Sequence, residues 1–353
     1  MNDTARTSVR TLRAMVEAIA AETDFSGDIR SNEPMAAHTT FKVGGPADIW
    51  VRPSGGCFPG FAAALLLAAR VAGIPLFVLG GGANLVVSDA GIRGIVLDTS
   101  GWTGAGVAED PCRLLVRSGT AVDDAVEAAA ERGLGGLEFL AGMPGAIGGA
   151  VWMNARCYER QVSDLLIRTE ILDLNPLDDG PRGCSFRRVW VPCDPGEFSY
   201  KRSPFQRRDA LGFSPLILNA EFRLEKREVS AIRQEMAAHK RDREEKGHYR
   251  YPSAGSVFKN SRDLGKPTGK IIDELGLRGY SVGGAQVAPW HGNIIINTGN
   301  ASAADIRELT ERVAEKVRST LGFELEPEII FAGGKPYAST AAGASVELRT
   351  SMR

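Results

Sequence analysis

Residues 133–149, GLGGLEFLAGMPGAIGG, constrain the fold more than any other stretch, because seven of the seventeen are glycine and Pro144 stands among them. An interior glycine costs a helix about 1 kcal/mol against alanine and an interior proline roughly 3, so no regular helix is expected here. Glycine offers instead a backbone without Cβ atoms, able to take positive φ and to bring N–H groups close to a partner. Leu137, Phe139, Leu140, Met143 and Ile147 make the run apolar, which places it inside the protein. A flexible linker would be polar and serine-rich. Two readings compete: a tight packing corner where strands cross, or a surface that receives a flat cofactor or its phosphates. The second is favoured.

A second glycine loop precedes it. Residues 38–53, HTTFKVGGPADIWVRP, set a Gly44-Gly45-Pro46 turn before a strand at about 47–52. A helix near 58–72 stops at Gly73, and Pro75 forbids its continuation. The strand Leu76–Leu79 then runs into Gly80, Gly81, Gly82, Ala83, Asn84 and Leu85. Strand, helix, strand and a glycine turn at the strand's carboxyl end is an α/β nucleotide-site arrangement, although no G-x-G-x-x-G opens a helix. Asn84 is either a ligand contact or an Asx-turn residue, and by residue type the turn is the commoner role. Further strands are expected at Leu85–Val87, 95–97 and 114–116. A helix at 122–132 leads into the glycine run, and a buried segment, 150–154, leaves it. Neither loop, 80–84 or 142–149, contains an acid or a base, so together they read as a cradle and not as the chemistry.

The 353 residues suffice for two or three domains. A net charge of −1 argues against bulk attraction to nucleic acid or membrane, so an anionic ligand would be held by a few local cations or backbone N–H groups. Leu12, Met15, Val16 and Ile19 follow the i, i+3, i+4, i+7 spacing of an amphipathic helix, not the apolar core of a signal peptide. Arg70, Gly73 and Pro75 interrupt the most apolar region, 61–82, which reads as helix then strand and not as a membrane span. Five cysteines without a CxxC pair and four scattered histidines imply reduced cytoplasmic thiols and no metal site.

Seven segments, in order, carry a family resemblance: 39–48 (TTFKVGGPAD), 79–87 (LGGGANLVV), 141–150 (AGMPGAIGGA) with Asn154-Ala155, 200–203 (YKRS), 253–260 (SAGSVFKN), 283–285 (GGA) and 325–328 (LEPE). Through them the chain resembles the UDP-N-acetylenolpyruvoylglucosamine reductases, FAD enzymes of bacterial cell-wall synthesis. The resemblance implies an α+β protein. Its FAD-binding region would be of the two-lobed vanillyl-alcohol-oxidase (PCMH) type, with the first lobe and an N-terminal helix in 1–100 and the second lobe in 101–224. A smaller α+β substrate-binding domain would occupy 225–333, while residues 334–353, small, polar and aperiodic, read by composition as a disordered tail. It also implies non-covalent FAD held at Gly44, Gly80, Gly81, Gly82, Ala83, Asn84, Leu85, Gly142, Pro144, Gly145, Gly148, Gly149 and Asn154, with NADPH as co-substrate. No His or Cys stands within 79–89 or 141–150 to tether a flavin.

The implied reaction is conjugate addition. Hydride passes from FAD to C3 of the enolpyruvyl ether, charge moves onto the carboxylate as an enolate, and C2 takes a proton. Such a site needs cationic or hydrogen-bonding groups at the carboxylate and one aimed proton donor. Resemblance assigns the donor to Ser256, in Pro252–Asn260's PSAGSVFKN, with Ser253 the decoy, and the acid/base group near the enolate to Glu328. Buried acids need partners, and the Ile-Ile-Phe run after Glu328 reads as a buried strand, while Glu324 and Glu326 fit a solvated edge. Tyr200, Lys259 and Asn260 are implied on the substrate side, and His291 is read with equal weight as structural or substrate-side.

This chain departs from the family pattern at three places. Where the family reads Tyr-Arg-x-Ser, its arginine helping to polarise the substrate carboxylate, this chain has Tyr200, Lys201, Arg202 and Ser203. Lysine keeps the charge and loses the bidentate fork. Either Lys201 substitutes, as register favours, or a backbone shift brings Arg202 inward. Arg156 stands where a small glycine turn is usual, and Trp290 where lysine is common. A helix is expected from Val229, Ile232, Met236 and Ala237, with the charged run 239–250 as its solvated end. Others are expected at 270–275 and, stopped by Gly322, at 304–321. The short passage from 206 to 224 leaves no room for an inserted lid, which points to the subgroup without a tyrosine loop. The expected setting is a cytoplasmic monomer acting on a UDP-sugar enolpyruvate with NADPH, without nucleic acid or membrane insertion. The alternatives are another FAD oxidase or dehydrogenase acting on an alcohol or hydroxy acid, and a non-catalytic nucleotide-sugar binder of the same fold.

Overall fold

The computed structural model describes residues 3–176, 184–208, 212–261 and 265–334, so the tail expected at 334–353 lies, from residue 335 on, outside the described residues. The chain divides into two compact units: residues 1–33, 48–81 and 94–241 form one, and 34–47, 82–93 and 242–353 the other. Among the described residues no helix is long and apolar enough to cross a membrane.

In the first unit the helices Asp3–Glu22 and Phe58–Val71 turn Val9, Leu12, Val16, Phe58, Phe61, Leu65 and Leu66 into a core shared with Ile49, Val51, Ile95 and Leu97. Those last four belong to a four-stranded sheet in the order Gly27–Pro34, Pro46–Pro53, Ile92–Asp98, Leu76–Leu79. Its last two strands are parallel, Leu79 opposite Asp98, so the chain leaves Leu79 at a strand's carboxyl end and enters the first glycine loop. A five-stranded antiparallel sheet follows the order Cys184–Pro192, Leu166–Pro176, Leu216–Arg223, Arg113–Arg117, Ala105–Val107. The helices Val122–Ala130 and Ile147–Trp152 add Val126, Ile147 and Val151 to the core of Leu114, Val116 and Phe222. Two acids buried in this sheet are paired, as a buried charge requires. Glu221 binds Arg168 and Arg113, and Glu170 binds Arg188 at 2.8 Å.

The end of the long glycine run departs from the expectation of no helix: Ile147, Gly148 and Gly149 open the six-residue helix Ile147–Trp152. The reason is packing. A Cβ on Gly148 would stand 2.8 Å from the Cβ of Ser118, so only glycine lets the helix lie this close, and tertiary contact outweighs propensity.

The second unit is built on the helix Ala303–Leu321, whose Ile306, Leu309, Val313 and Val317 pack over Ala285, Val287 and Ile295 of a three-stranded antiparallel sheet. Ser302 and Asp305 close a reciprocal capping box, Asp89 accepts from the Ala303 and Ala304 amides at 2.8 and 2.9 Å, and Gly322 at φ 67° ends the helix. Leu85–Val87 pairs in parallel with Ile330–Ala332, Leu85 opposite Ile330. The charged run 239–250 is not simply a solvated end. The helix Val229–Glu245 continues into its first half, and Arg243, eleven residues after Ile232 and therefore on the same helical face, is buried.

Candidate functional site

In the first unit the two glycine loops touch. A Cβ on Gly81 would lie 2.5 Å from the Cα of Gly145, so backbone meets backbone there. Gly142, at φ 76°, donates its amide to Asp123 at 2.7 Å, and the Gly145 carbonyl accepts from Val122 at 3.1 Å. Gly80 and Gly149 behave differently. A Cβ on Gly80 would find its nearest atoms, Ala146 Cβ and the Gly149 nitrogen, only at 3.9 Å, and one on Gly149 would meet nothing within 4 Å. Packing does not explain glycine at these two positions. Beside them Ser118 is buried, and its hydroxyl has no hydrogen-bond partner among the described residues. Loops held together by some glycines, with room left at others and an unanswered hydroxyl alongside, fit a cofactor laid against the backbone. Ser118 was not among the residues singled out from the sequence. Only its place after a strand and next to a glycine could have suggested it.

Asn154, also expected at the cofactor, is fully buried, and its side chain is occupied by protein. It donates to the Ser199 carbonyl at 3.0 Å and to Gln161 at 3.3 Å and accepts from the Ser163 amide at 3.0 Å. It thereby holds the tight turn of residues 199–202, in which Ser199 and Arg202 exchange backbone bonds of 3.2 and 3.0 Å. Ser203 and Gln206 both donate to the Trp152 carbonyl at 2.8 Å, seating this turn on the helix that ends the glycine run. Within it Lys201 is half-buried with its ammonium 5.9 Å from the Tyr200 ring centre, while Arg202 is exposed.

In the second unit three distant segments meet. The Glu328 amide donates to the Val257 carbonyl at 2.7 Å, which sets Glu328 on backbone adjoining Ser256. Asn84 donates through its side chain to the Glu328 carbonyl at 2.9 Å, and its own carbonyl accepts from Ile330 at 3.0 Å. Its side chain thus clamps another segment. Ser256 and Phe258 each form an isolated bridge, to Ile294 and Pro327 respectively, and along this segment Val257 and Phe258 are buried and Ser256 half-buried. Asn293, missed in the sequence, is its second fastening. It is buried, accepts from the Phe258 amide at 2.9 Å and donates to the Phe258 carbonyl at 2.7 Å.

The substrate-side candidates fall around this segment. Lys259 binds Glu326 at 2.6 Å, so Glu326 is not the free solvated edge expected. Asn260 accepts from the Thr268 amide at 2.9 Å at the start of the helix Thr268–Glu274. His291 accepts from the Asn293 amide at Nδ1, 3.1 Å away, which leaves the proton of the neutral ring on Nε2. Burial holds His291 below the ordinary histidine pKa despite Asp273, so it stays a neutral donor. Gly44 and Gly82 are explained by close approach: their Cβ atoms would stand 2.8 Å from Val87 Cβ and 1.9 Å from the His38 carbonyl oxygen. Gly82, Ala83 and Leu85 carry the chain between the first glycine loop and the strand Leu85–Val87, and Pro144 lies exposed in the second loop.

Comparison with known proteins is consistent throughout. The profile described as FAD binding domain matches residues 62–175, and that described as UDP-N-acetylenolpyruvoylglucosamine reductase, C-terminal domain, matches 247–332. The chain is 40% identical to the UDP-N-acetylenolpyruvoylglucosamine reductase of Treponema pallidum, with 86% of this chain and 93% of that protein aligned. It is 34% identical to the enzyme of that name from Bacillus subtilis, over 87% of this chain and 95% of the other. Among solved structures, the UDP-N-acetylenolpyruvylglucosamine reductase of Thermus caldophilus superposes with a TM-score of 0.66 at 30% identity, covering 88% of this chain and all of its own.

Proposed function

The chain belongs to the UDP-N-acetylenolpyruvoylglucosamine reductase family. On that footing we propose that it uses NADPH and non-covalent FAD to reduce UDP-N-acetylglucosamine enolpyruvate to UDP-N-acetylmuramate. One observation carries the reading of the site: the bond from the Glu328 amide to the Val257 carbonyl (2.7 Å), braced by Asn84 on the Glu328 carbonyl (2.9 Å). Residues some 70 and 240 positions from Glu328 are thereby fixed against it, on the two segments where a proton donor and an acid are required.

When bound, FAD supplies the hydride chemistry. The protein's part is to hold, polarise and protonate. Gly80 and Gly149 leave room along the glycine loops for the cofactor, Gly81 and Gly145 keep those loops in contact, and Ser118 offers a hydroxyl. Lys201 is assigned to the substrate carboxylate, where negative charge grows during reduction. Ser256 is assigned to deliver the proton to C2. A serine hydroxyl is a poor acid by itself, so the carbanion-like centre must present itself at hydrogen-bond range as the proton moves. Glu328 is the acid/base group beside it. His291, neutral with its proton on Nε2, donates to the sugar nucleotide. Lys259 and Asn260 act by bracing the Ser256 segment through Glu326 and Thr268. The reading places the enzyme in the cytoplasm as a monomer, where its nucleotide-activated substrate would be made; sedimentation at working concentration tests the monomer.

The test uses the purified holoprotein without oxygen. NADPH should bleach the flavin absorbance, and the enolpyruvyl sugar nucleotide should restore it with formation of the muramate. Bleaching that only oxygen or a hydroxy acid couple reverses would refute the reading.

A further inference from the structure

Within the first unit a third segment, residues 118–122, lies along the second glycine loop. The Gly148 amide donates to the Ser118 carbonyl at 2.7 Å, the Ile147 amide to that of Thr120 at 2.9 Å, and the Val122 amide to that of Gly145 at 3.1 Å. Ala121 and Ala146 form a bridge between them. On its other side the segment is fastened just as closely. The Ser118 amide donates to the Leu218 carbonyl at 2.8 Å, and the Gly119 amide to that of Trp102 at 3.0 Å. The buried hydroxyl of Thr120 donates to the Gly104 carbonyl at 3.1 Å and accepts from the Gly104 amide at 3.0 Å. Two residues earlier, the hydroxyl of Ser118 does neither: the residue is 1% exposed, and its Oγ has no hydrogen-bond partner among the described residues.

A buried hydroxyl without a partner costs stability, so its retention asks for a reason. Packing supplies none. The close approach at this point is between the Ser118 Cβ and the Gly148 backbone, and alanine would keep the same Cβ. What serine adds is the hydroxyl alone. The charge pattern around it says what a hydroxyl could answer. Residues 80–81, 118–122 and 142–149 contain no lysine and no arginine. An anion laid against the room that Gly80 and Gly149 leave must therefore be met by N–H and O–H donors of these segments. In FAD the anionic part is the diphosphate. A hydrogen bond to a charged oxygen is about twice as strong as one between neutral groups, which makes it the acceptor best able to offset the cost of keeping Ser118.

We propose that Ser118 is a cofactor-binding residue whose hydroxyl donates to the diphosphate of FAD, so that the group left unanswered in the apoprotein is the one that tightens the cofactor. This rests on the flavin-binding part of the reading above and not on the identity of the sugar substrate.

The test uses the full chain, wild type and Ser118→Ala, each stripped of flavin and titrated with FAD by the change in flavin fluorescence. Ser118→Ala should raise the Kd for FAD about 10–100-fold, the loss of a hydrogen bond to a charged acceptor. Its apoprotein should melt no lower than wild type, because the removed hydroxyl has no protein partner to give up. At saturating FAD the visible bands of the bound flavin should be the same in both proteins, since the diphosphate lies outside the ring system. Weaker FAD together with lower apoprotein melting would make Ser118 a structural residue and overturn the proposal. Altered flavin bands would put the hydroxyl at the ring and overturn it too. A change in Kd below about threefold, with wild type binding FAD normally, refutes this proposal alone. A wild-type apoprotein that takes up no FAD refutes the flavin reading and this proposal with it.

Discussion

His248→Gln should flatten the acid sensitivity of the second unit. Burial, then the charges of Arg243, His291 and Lys246, push His248 from an ordinary 6.5 down to about 4, against the opposing pull of Asp242. The unfolded chain therefore binds a proton below pH 6.5 that the folded chain refuses until about pH 4. The folded form is fully favoured by this group above pH 6.5, loses that advantage as pH falls through the window, and loses no more below about pH 4. At about 1.36 kcal/mol for each pH unit of displacement the whole effect is at most about 3.4 kcal/mol, of which at most about 2.5 has gone by pH 4.5, and solvent screening at this partly exposed ring lowers both figures. His291 is also held low by burial, but it is present in both proteins and largely cancels from the comparison.

Two-unit chains do not unfold in one step, so the assay must report on the second unit alone. Hydrogen exchange read by mass spectrometry does so through peptides from Ile295–Asn297 and Ala303–Leu321. Comparing the two proteins at each pH removes the intrinsic pH dependence of exchange. Between pH 7 and 4.5 the wild type should lose more protection than His248→Gln, by about 1–2.5 kcal/mol. Parallel loss in the two proteins, or a steeper loss in the variant, would refute the argument that a buried neutral His248 carries this acid limb.

Three further outcomes are expected. Ser256→Ala should leave flavin reduction by NADPH nearly intact and slow reoxidation by the sugar nucleotide ~10²–10⁴-fold, the usual worth of general acid assistance, with Ser253→Ala as the control that slows neither. Acid precipitation should leave all yellow colour in the supernatant, since no His or Cys stands in 79–89 or 141–150 to tether a flavin; colour in the pellet would contradict non-covalent binding. Gly81→Ala, whose Cβ would stand 2.5 Å from Gly145 Cα, should destabilise the apoprotein by about 1–3 kcal/mol, whereas Gly149→Ala, with open space at its Cβ, should leave apoprotein melting unharmed and weaken FAD in a flavin titration.

Local signals reached the structure where the answer is local. Ser302 and Gly322 bracket a helix at Ala303–Leu321, within one residue of the 304–321 that periodicity predicts, because capping and a 3.6-residue repeat are properties of a single segment. The strand Leu85–Val87 and a strand after Glu328 were equally legible, but the parallel pairing of Leu85–Val87 with Ile330–Ala332 was not. An apolar strand says which face it buries and nothing about which of many apolar strands will lie beside it. For the same reason the assembly of 34–47 and 82–93 with the chain after 242 is invisible to a reading that cuts the sequence into consecutive pieces.

The candidate site divides along the same line. Ser256 and Glu328 were singled out by resemblance, and the structure adds what joins their two segments: a backbone bond and the Asn84 side chain, neither of which has a sequence signature. Asn154 shows the opposite case. Its position in the motif suggested a cofactor contact, yet its side chain is occupied in fastening two turns that hold Lys201, Tyr158 and Glu159 in conformations their residue types disfavour. Left-handed backbone at a lysine or tyrosine cannot be read from residue type, since it is imposed by partners far along the chain. That is also why Arg156, read from the sequence as a departure from a small turn, could not be connected with Lys201 at a distance of 45 residues. The Arg156 guanidinium carbon and the Lys201 ammonium lie 5.6 and 5.9 Å from the centre of the Tyr200 ring, and Asn154 bonds to Gln161 and to Ser199, so substituting Asn154 should disturb the surroundings of Arg156 and Lys201 together.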